Sequence, residues 1–479
     1  MSEKKILNIA DPKTRPYLGF LVFALVGLFI SVVTPFTGLS PTGHIVFGSL
    51  LGALGLWIFK PGNIPYFAGA IIIIVGCVAA GISIKTVTSG FSSASMWLLI
   101  PAMFFGFALR KTGLGNRIAF FVLEKIKPSY PMILMGWFVI GLLFSFLTPS
   151  STVRMLILCA VAVSVADACQ LAKGTRGRSL IVISAWFTAI FIGIGWFTGS
   201  LNGPVLTGFL PAEMQALINP DIWLKTMCLP WIFITIVFLI GLFFVLRPKE
   251  KLPVTRADMK RFYSDLGKIT PEEIATLVIL VGVFLGLGFQ KMHGLPSFAI
   301  MLVGLFCLML FKIITVPDIG NGISWDIIIF IGTIMGLSEI FAEAGIVDWI
   351  SAGIAPLTTL LATSPLIFVM GLMLLFTVLR FLDITWGWTT AALLSTTTPM
   401  LYSVYGIHPI ILLFVFAAGA GIFFLSYQQP WIALTESVTK DAGWNVNHMQ
   451  KAGIVFFGSV LLAILVFVPY WQWIGVLPS

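Results

Sequence analysis

Residues Thr148 to Leu156, TPSSTVRML, lie between two apolar runs, FVIGLLFSFL before and ILCAVAV after. Proline carries no N–H and stops a helix, and a hydroxyl placed just before a helix caps it. Pro149 is therefore expected to end one half-helix, and Ser150, Ser151 and Thr152 to open another. The opening helix offers unpaired backbone N–H groups, a partial positive charge and hydroxyl donors, which suit a carboxylate. The ending helix offers carbonyl oxygens, which suit a small cation. Serine and threonine also occur within spans merely bonded to their own backbone; three in a row beside a proline favour a site.

Arg154 follows two residues later. An ionised side chain at membrane depth costs at least ~2.5–3.5 kcal/mol on insertion scales and marks function by default. Three readings stand open. Arg154 binds an anion directly, using the planar fork that matches a carboxylate. It supplies a fixed positive charge that keeps an empty carrier from crossing. Or it snorkels to the near side of the membrane. Arg380, the other intramembrane base, has Asp383 three residues on, so a local ion pair is expected there. Glu339, Glu343, Arg110 and Lys111 are expected to be hydrated surface groups on the neighbouring spans.

Three further polar interruptions share this character. DITWGWTT (383–390) contributes Thr385, Gly387, Trp388, Thr389 and Thr390. GSLNGP (199–204) and LSYQQP (425–430) match with serine, amide and proline in register. They contribute Ser200, Asn202, Gly203 and Pro204 from one side, and Gln428, Gln429 and Pro430 from the other. Enzyme chemistry is not expected. His44, His293, His408 and His448 lie at segment ends without metal spacing, and no nucleophile–base pair lies inside the apolar runs. The five cysteines, Cys77, Cys159, Cys169, Cys228 and Cys307, read as small core residues. No cofactor is expected.

The elements that position these residues follow from composition. Of 479 residues, 58% are hydrophobic and 10% charged, with mean hydropathy +1.04. Apolar stretches recur from end to end, so the chain reads as an all-α polytopic membrane protein whose solvent is the lipid bilayer. The segments 131–168 and 365–405 each carry a polar break near the middle. Their halves, roughly 15–18 residues, are short for a crossing, so both are expected to be re-entrant hairpins beside about 11 transmembrane helices. The net charge of +9 sits in the loops, which excludes nucleic acid as the partner. With the N-terminus cytoplasmic, most Lys and Arg fall inside, whereas loops 36–44, 213–220, 355–364 and 402–407 carry none.

The hydrophilic linker 247–271 divides two similar halves. An N-terminal segment and first span (1–41) precede the first repeat, 42–246, with its hairpin at 131–168 and broken helix at 180–213. The second repeat, 272–479, holds a hairpin at 365–405 and a broken helix at 408–440. SMWLLIPAMFFGFALRKTGL (95–114) pairs with SWDIIIFIGTIMGLSEIFAEAGI (324–346). An odd number of crossings per half inverts the second repeat. Inverted repeats with helices broken at mid-membrane are the architecture of secondary transporters.

GFSSASMW, KTGLGNRIAFF and TPSSTVR resemble the pattern of the divalent anion–sodium symporter (INDY) family, most closely its citrate/succinate- and oxoglutarate/malate-type exchangers. The similarity of order extends over nearly the whole chain. The resemblance implies eleven spans with two hairpins, a homodimer, and a scaffold domain beside a mobile domain working as an elevator. It also implies exchange of succinate, malate, 2-oxoglutarate or citrate across the cell membrane, with sodium-coupled symport as the alternative. The family carries Ser-Asn-Thr at each hairpin tip, touching carboxylate and, in symporters, sodium. In this chain the first motif falls on Ser150, Ser151 and Thr152. The second falls on Trp386, Gly387 and Trp388, or one residue later on Gly387, Trp388 and Thr389. Both asparagines are missing, so no metal site is assigned to the degraded motif.

Overall fold

The computed structural model describes residues 14–250, 252, 255–349, 364–381, 387–425, 428–439 and 443–478, and all of their regular structure is helical. The first half runs α1 (Arg15–Val33), α2 (Pro41–Phe59), α3 (Tyr66–Ala79), α4 (Ala94–Thr112), α5 (Leu114–Lys125), α6 (Tyr130–Leu147), α7 (Ser151–Ala168), α8 (Arg176–Phe191), α9 (Asn202–Gly208) and α10 (Pro220–Leu246). A linker helix, α11 (Arg256–Ser264), follows. The second half runs α12 (Pro271–Gly288), α13 (Ser297–Leu310), α14 (Trp325–Met335), α15 (Leu337–Glu343), α16 (Pro365–Leu379), α17 (Trp388–Ser395), α18 (Thr398–Tyr405), α19 (Pro409–Gly421), α20 (Pro430–Thr439) and α21 (Val446–Trp473). Among the described helices, nine are long and apolar enough to cross a bilayer, or ten if the bent pair α4–α5 is one span.

Breaks fall where backbone chemistry demands them. α6 ends at Leu147, and Thr148, Pro149 and Ser150 form an extended connection into α7. The Ser150 hydroxyl accepts from the Val153 N–H at 3.4 Å, the N-cap bond that starts the new helix. α6 and α7 are 18 residues each, long enough by length and composition to cross. Their length lies at the upper end of the expected 15–18 residues, so the expectation that both halves are short for a crossing is corrected for this pair. The stretch 180–213 breaks after Phe191: a 3-10 turn at Ile192–Gly195 and an irregular 196–201 lead into α9. The stretch 408–440 breaks between α19 and α20.

Two features add to the sequence reading. The apolar stretch 93–126 bends by 69° between α4 and α5, so α5 leaves sideways. The linker holds regular structure of its own. Thr255 and Asp258 form a capping box at the start of α11, and Thr270 and Glu273 form another at the start of α12. α11 lies on α5, with the Phe120 and Phe262 rings stacked 5.4 Å apart. Arg117 of α5 fastens the corner. Its Nε donates to Glu273 Oε1 at 2.9 Å, and its Nη atoms donate to the carbonyls of Leu266, Gly267 and Lys268.

α8 lies at the centre, packed by α6, α7, α10 and α21. All of its residues from Gly177 to Phe191 are buried. The outer helices present apolar side chains outward, as Val32 at 72% exposure on α1 and Val278 at 64% on α12 do. That distribution suits a lipid environment.

Candidate functional site

A cavity of about 360 Å³ opens where α4, α7, α9, α14, α17 and α20 meet. Its polar wall is built from Ser150, Ser151 and Thr152 at the start of α7, Ser200 and Asn202 at the start of α9, and Asn321 and Ser324 just before α14. Trp388, the first residue of α17, and Trp431 of α20 also line it. Four helices therefore begin on one cavity. Each first turn carries N–H groups without intrahelical partners and a partial positive charge of about half a unit. No Asp or Glu lines the wall among the described residues. The arrangement receives an anion.

The hydroxyls are held before any ligand arrives. Trp431 Nε1 donates to Thr152 Oγ1 at 3.0 Å, tying α20 to the first tip. Ser151 Oγ donates to the Ile190 carbonyl at 3.3 Å. Ser324 caps α14 by accepting from the Ile327 N–H at 3.4 Å. The Asn202 side chain is only 9% exposed, and no described residue bonds its amide, which therefore faces the cavity with both donor and acceptor available. Gly106 of α4 lets the tip approach: a Cβ there would lie 2.8 Å from Ser150 Cβ and from Val153 Cγ2.

Arg154 is fully buried and is not on the cavity wall. Its Nε donates to the Ala189 carbonyl at 2.7 Å. One Nη donates to the carbonyls of Thr148 at 2.8 Å and Gly199 at 2.5 Å. The other donates to Ser151 Oγ at 3.1 Å and the Ile190 carbonyl at 3.4 Å. The guanidinium thus joins the tip at Thr148–Ser151 to both sides of the break after α8. It occupies a nest of carbonyl oxygens of the kind that coordinates a small cation. Snorkelling is excluded by its burial, and direct contact with a ligand is not its position in this structure.

The second half uses its polar residues similarly. The Arg380 guanidinium donates to the Gln428 carbonyl, and Gln428 Nε2 reaches back to the Arg380 carbonyl at 3.4 Å. Asp383, its expected partner, lies outside the described residues. Gln428 Oε1 accepts from the N–H groups of Phe424 and Leu425 at 2.7 and 2.9 Å. Gln429 Nε2 donates to the carbonyls of Ala420 and Gly421, both at 2.9 Å. Both glutamines close the break between α19 and α20 and do not line the cavity; neither does Pro430, which starts α20. Gly203 and Pro204 are buried behind the wall. Gly387 sits at φ +71° before α17, and a Cβ there would lie 2.8 Å from the Phe376 ring. Trp388 is buried and stacks on Phe330 at 6.3 Å. Thr390 is not on the wall, and Thr385 and the Thr389 side chain lie outside what the structure describes.

Among the polar and aromatic wall residues, Arg110, Asn321, Ser324 and Trp431 were not among the expected site residues. Ser324 opens SWDIII, a hydroxyl just before an apolar run, which is an N-terminus signal. Arg110 is exposed, as expected of a hydrated surface group, and it also lies on the cavity wall. Its neighbour Lys111 pairs with Asp318 at 2.5 Å.

A polytopic helical bundle whose broken helices aim their N-terminal ends at one cavity has the architecture of a membrane transporter. The comparisons with known proteins agree. The family described as "Sodium:sulfate symporter transmembrane region" matches residues 15–477, and the chain belongs to that divalent anion–sodium symporter family. It is similar to the inner membrane protein YbhI of Escherichia coli K12, 25% identical over 326 residues, covering 66% of this chain and 68% of that one. It is 25% identical over 413 residues to an L-tartrate/succinate antiporter of Escherichia coli O6:K15:H31, covering 80% and 79% respectively. In fold it is similar to the crystal structure of the YdaH transporter of Alcanivorax borkumensis. That likeness has a TM-score of 0.56 at 12% identity and covers 96% of this chain and 98% of that one. The protein is a multi-pass membrane transporter and not an enzyme.

Proposed function

We propose that the protein exchanges di- or tricarboxylate anions of the succinate, malate, 2-oxoglutarate and citrate class across the cytoplasmic membrane. The observation that carries this reading is the wall just described: four helix N-termini and the Asn202 amide around one cavity without a carboxylate. Such a wall neutralises and hydrogen-bonds an anion. The tartrate/succinate antiporter among the relatives points to the same substrate class. Substrate-binding roles are proposed for Ser150, Ser151, Thr152, Ser200, Asn202 and Trp388, which line the cavity.

Arg154 supports exchange over symport. Its charge cannot be shed, and it fills the carbonyl nest that a coupling cation would need. An empty carrier would have to move that charge uncompensated, whereas a loaded one moves it with an anion. We place the N-terminus in the cytoplasm, the chain in a homodimer, and the motion in an elevator-like shift of the hairpins and broken helices against the remaining spans. The two halves, 42–246 and 272–479, are taken as an inverted repeat around the linker. The alternative is sodium-coupled dicarboxylate symport, favoured by the sodium in the matching family's description.

Counterflow decides between them. Proteoliposomes loaded with unlabelled succinate, in sodium-free buffer, should take up external labelled succinate, and empty liposomes should not. Uptake that needs a sodium gradient and ignores internal substrate would establish symport.

A further inference from the structure

A second cavity of about 340 Å³ abuts the first, beside the bend between α4 and α5. Arg110 and Leu156 belong to both walls. Arg110 is the one cationic side chain on either wall, and no carboxylate lines either among the described residues. Three other guanidinium groups are engaged: Arg117 with Glu273 at 2.9 Å, Arg178 with Asp167 at 2.6 Å, and Arg154 with carbonyls. Arg110 is exposed, its guanidinium stands over the Phe107 ring at 5.8 Å, and among the described residues it has no ion-pair partner.

Its height relative to the first tip is fixed by α4. Gly106 packs on Ser150 and Val153. Arg110 is four residues on, about 5–6 Å along the same face. Side chains on a helix lean toward its N-terminus, so this one leans back toward the tip.

Building on the function proposed above, we infer that Arg110 is a second carboxylate-binding group. It takes the distal carboxylate of a short diacid whose other end lies on the first turn of α7, and so selects diacids over monoacids. One helical turn separates the two charges, a length matched by a short dicarboxylate and by no monocarboxylate. The planar fork of arginine pairs two donors with two carboxylate oxygens.

The test is succinate counterflow with butyrate as competitor, using the full-length protein in proteoliposomes. Arg110→Gln should raise the half-saturating succinate concentration at least tenfold and erase the preference for succinate over butyrate. Arg110→Lys should fall between the two. Lys111→Gln, next along the helix, should behave as wild type. Asn116→Asp, which sets a carboxylate in the second cavity, should weaken succinate by competing for the guanidinium. That variant keeps the test open if Arg110→Gln does not reconstitute. Wild-type half-saturation and selectivity in Arg110→Gln, or in Asn116→Asp where that variant alone reconstitutes, would overturn the assignment. Failure of the wild type to exchange any di- or tricarboxylate would instead sink the function proposed above.

Discussion

Arg154 sits three residues past Ser151, within the first turn of α7, yet faces away from the cavity it helps to shape. Its role is to lock the tip to the break after α8, and a lysine cannot take it over. An ammonium on a flexible stem does not reach oxygens on Thr148, Ala189 and Gly199 together. Each carbonyl left unpaired costs about 1–3 kcal/mol. Arg154→Lys and Arg154→Ala are therefore expected to lower the unfolding temperature in detergent by several degrees and to abolish counterflow. Unfolding at the wild-type temperature would remove the locking role. The polar triplet was legible in sequence because proline and hydroxyls act on their own backbone. The direction of the arginine was not, because its acceptors on Ala189, Ile190 and Gly199 lie 35 to 45 residues away in the chain.

At the scale of elements, local chemistry again separates what could be read from what could not. The breaks at Pro149, at 199–204 and at 425–430 were visible as prolines beside amides and hydroxyls inside apolar runs. The sideways turn of α5 was not, since hydropathy reports the sum over 93–126 and not its axis. The two glutamines looked like ligands by analogy with Asn202. Their longer side chains fold back onto their own loop instead. Gly387→Ala should destabilise the start of α17, since φ +71° and the Phe376 ring both oppose a Cβ. Loss of substrate-induced thermal stabilisation in that variant would show it; an unchanged shift would make the second tip dispensable. Outside the spans, Lys111 and Thr315 hold the Asp318 carboxyl down to about 2. A carboxyl lowered on folding stabilises the fold above its ordinary value, near 3.8, and loses that contribution as pH falls through about 2. The unfolding-temperature gap between wild type and Asp318→Asn should thus be constant above pH 4 and close below it, a window set by those two values. A gap independent of pH would mean the pair contributes nothing.

For the molecule as a whole, composition fixed the solvent and the family pattern fixed the neighbourhood of the site. Packing alone showed that residues far apart in sequence, from Ser150 to Trp431, share one wall. Dicarboxylates should stabilise the purified protein against heat in a concentration-dependent way, and monocarboxylates should do so less. Equal stabilisation by both would argue for a site that reads one carboxylate only.

The central helix carries one more implication. Every residue of α8 from Gly177 to Phe191 is enclosed by protein, whereas 11% of the crossing stretch of α1 is. A saturation scan should therefore show tolerance on α1 to almost any apolar replacement. Along α8 it should show no tolerant face at all, the usual three-to-four-residue rhythm of permitted change being absent where a helix has no outside.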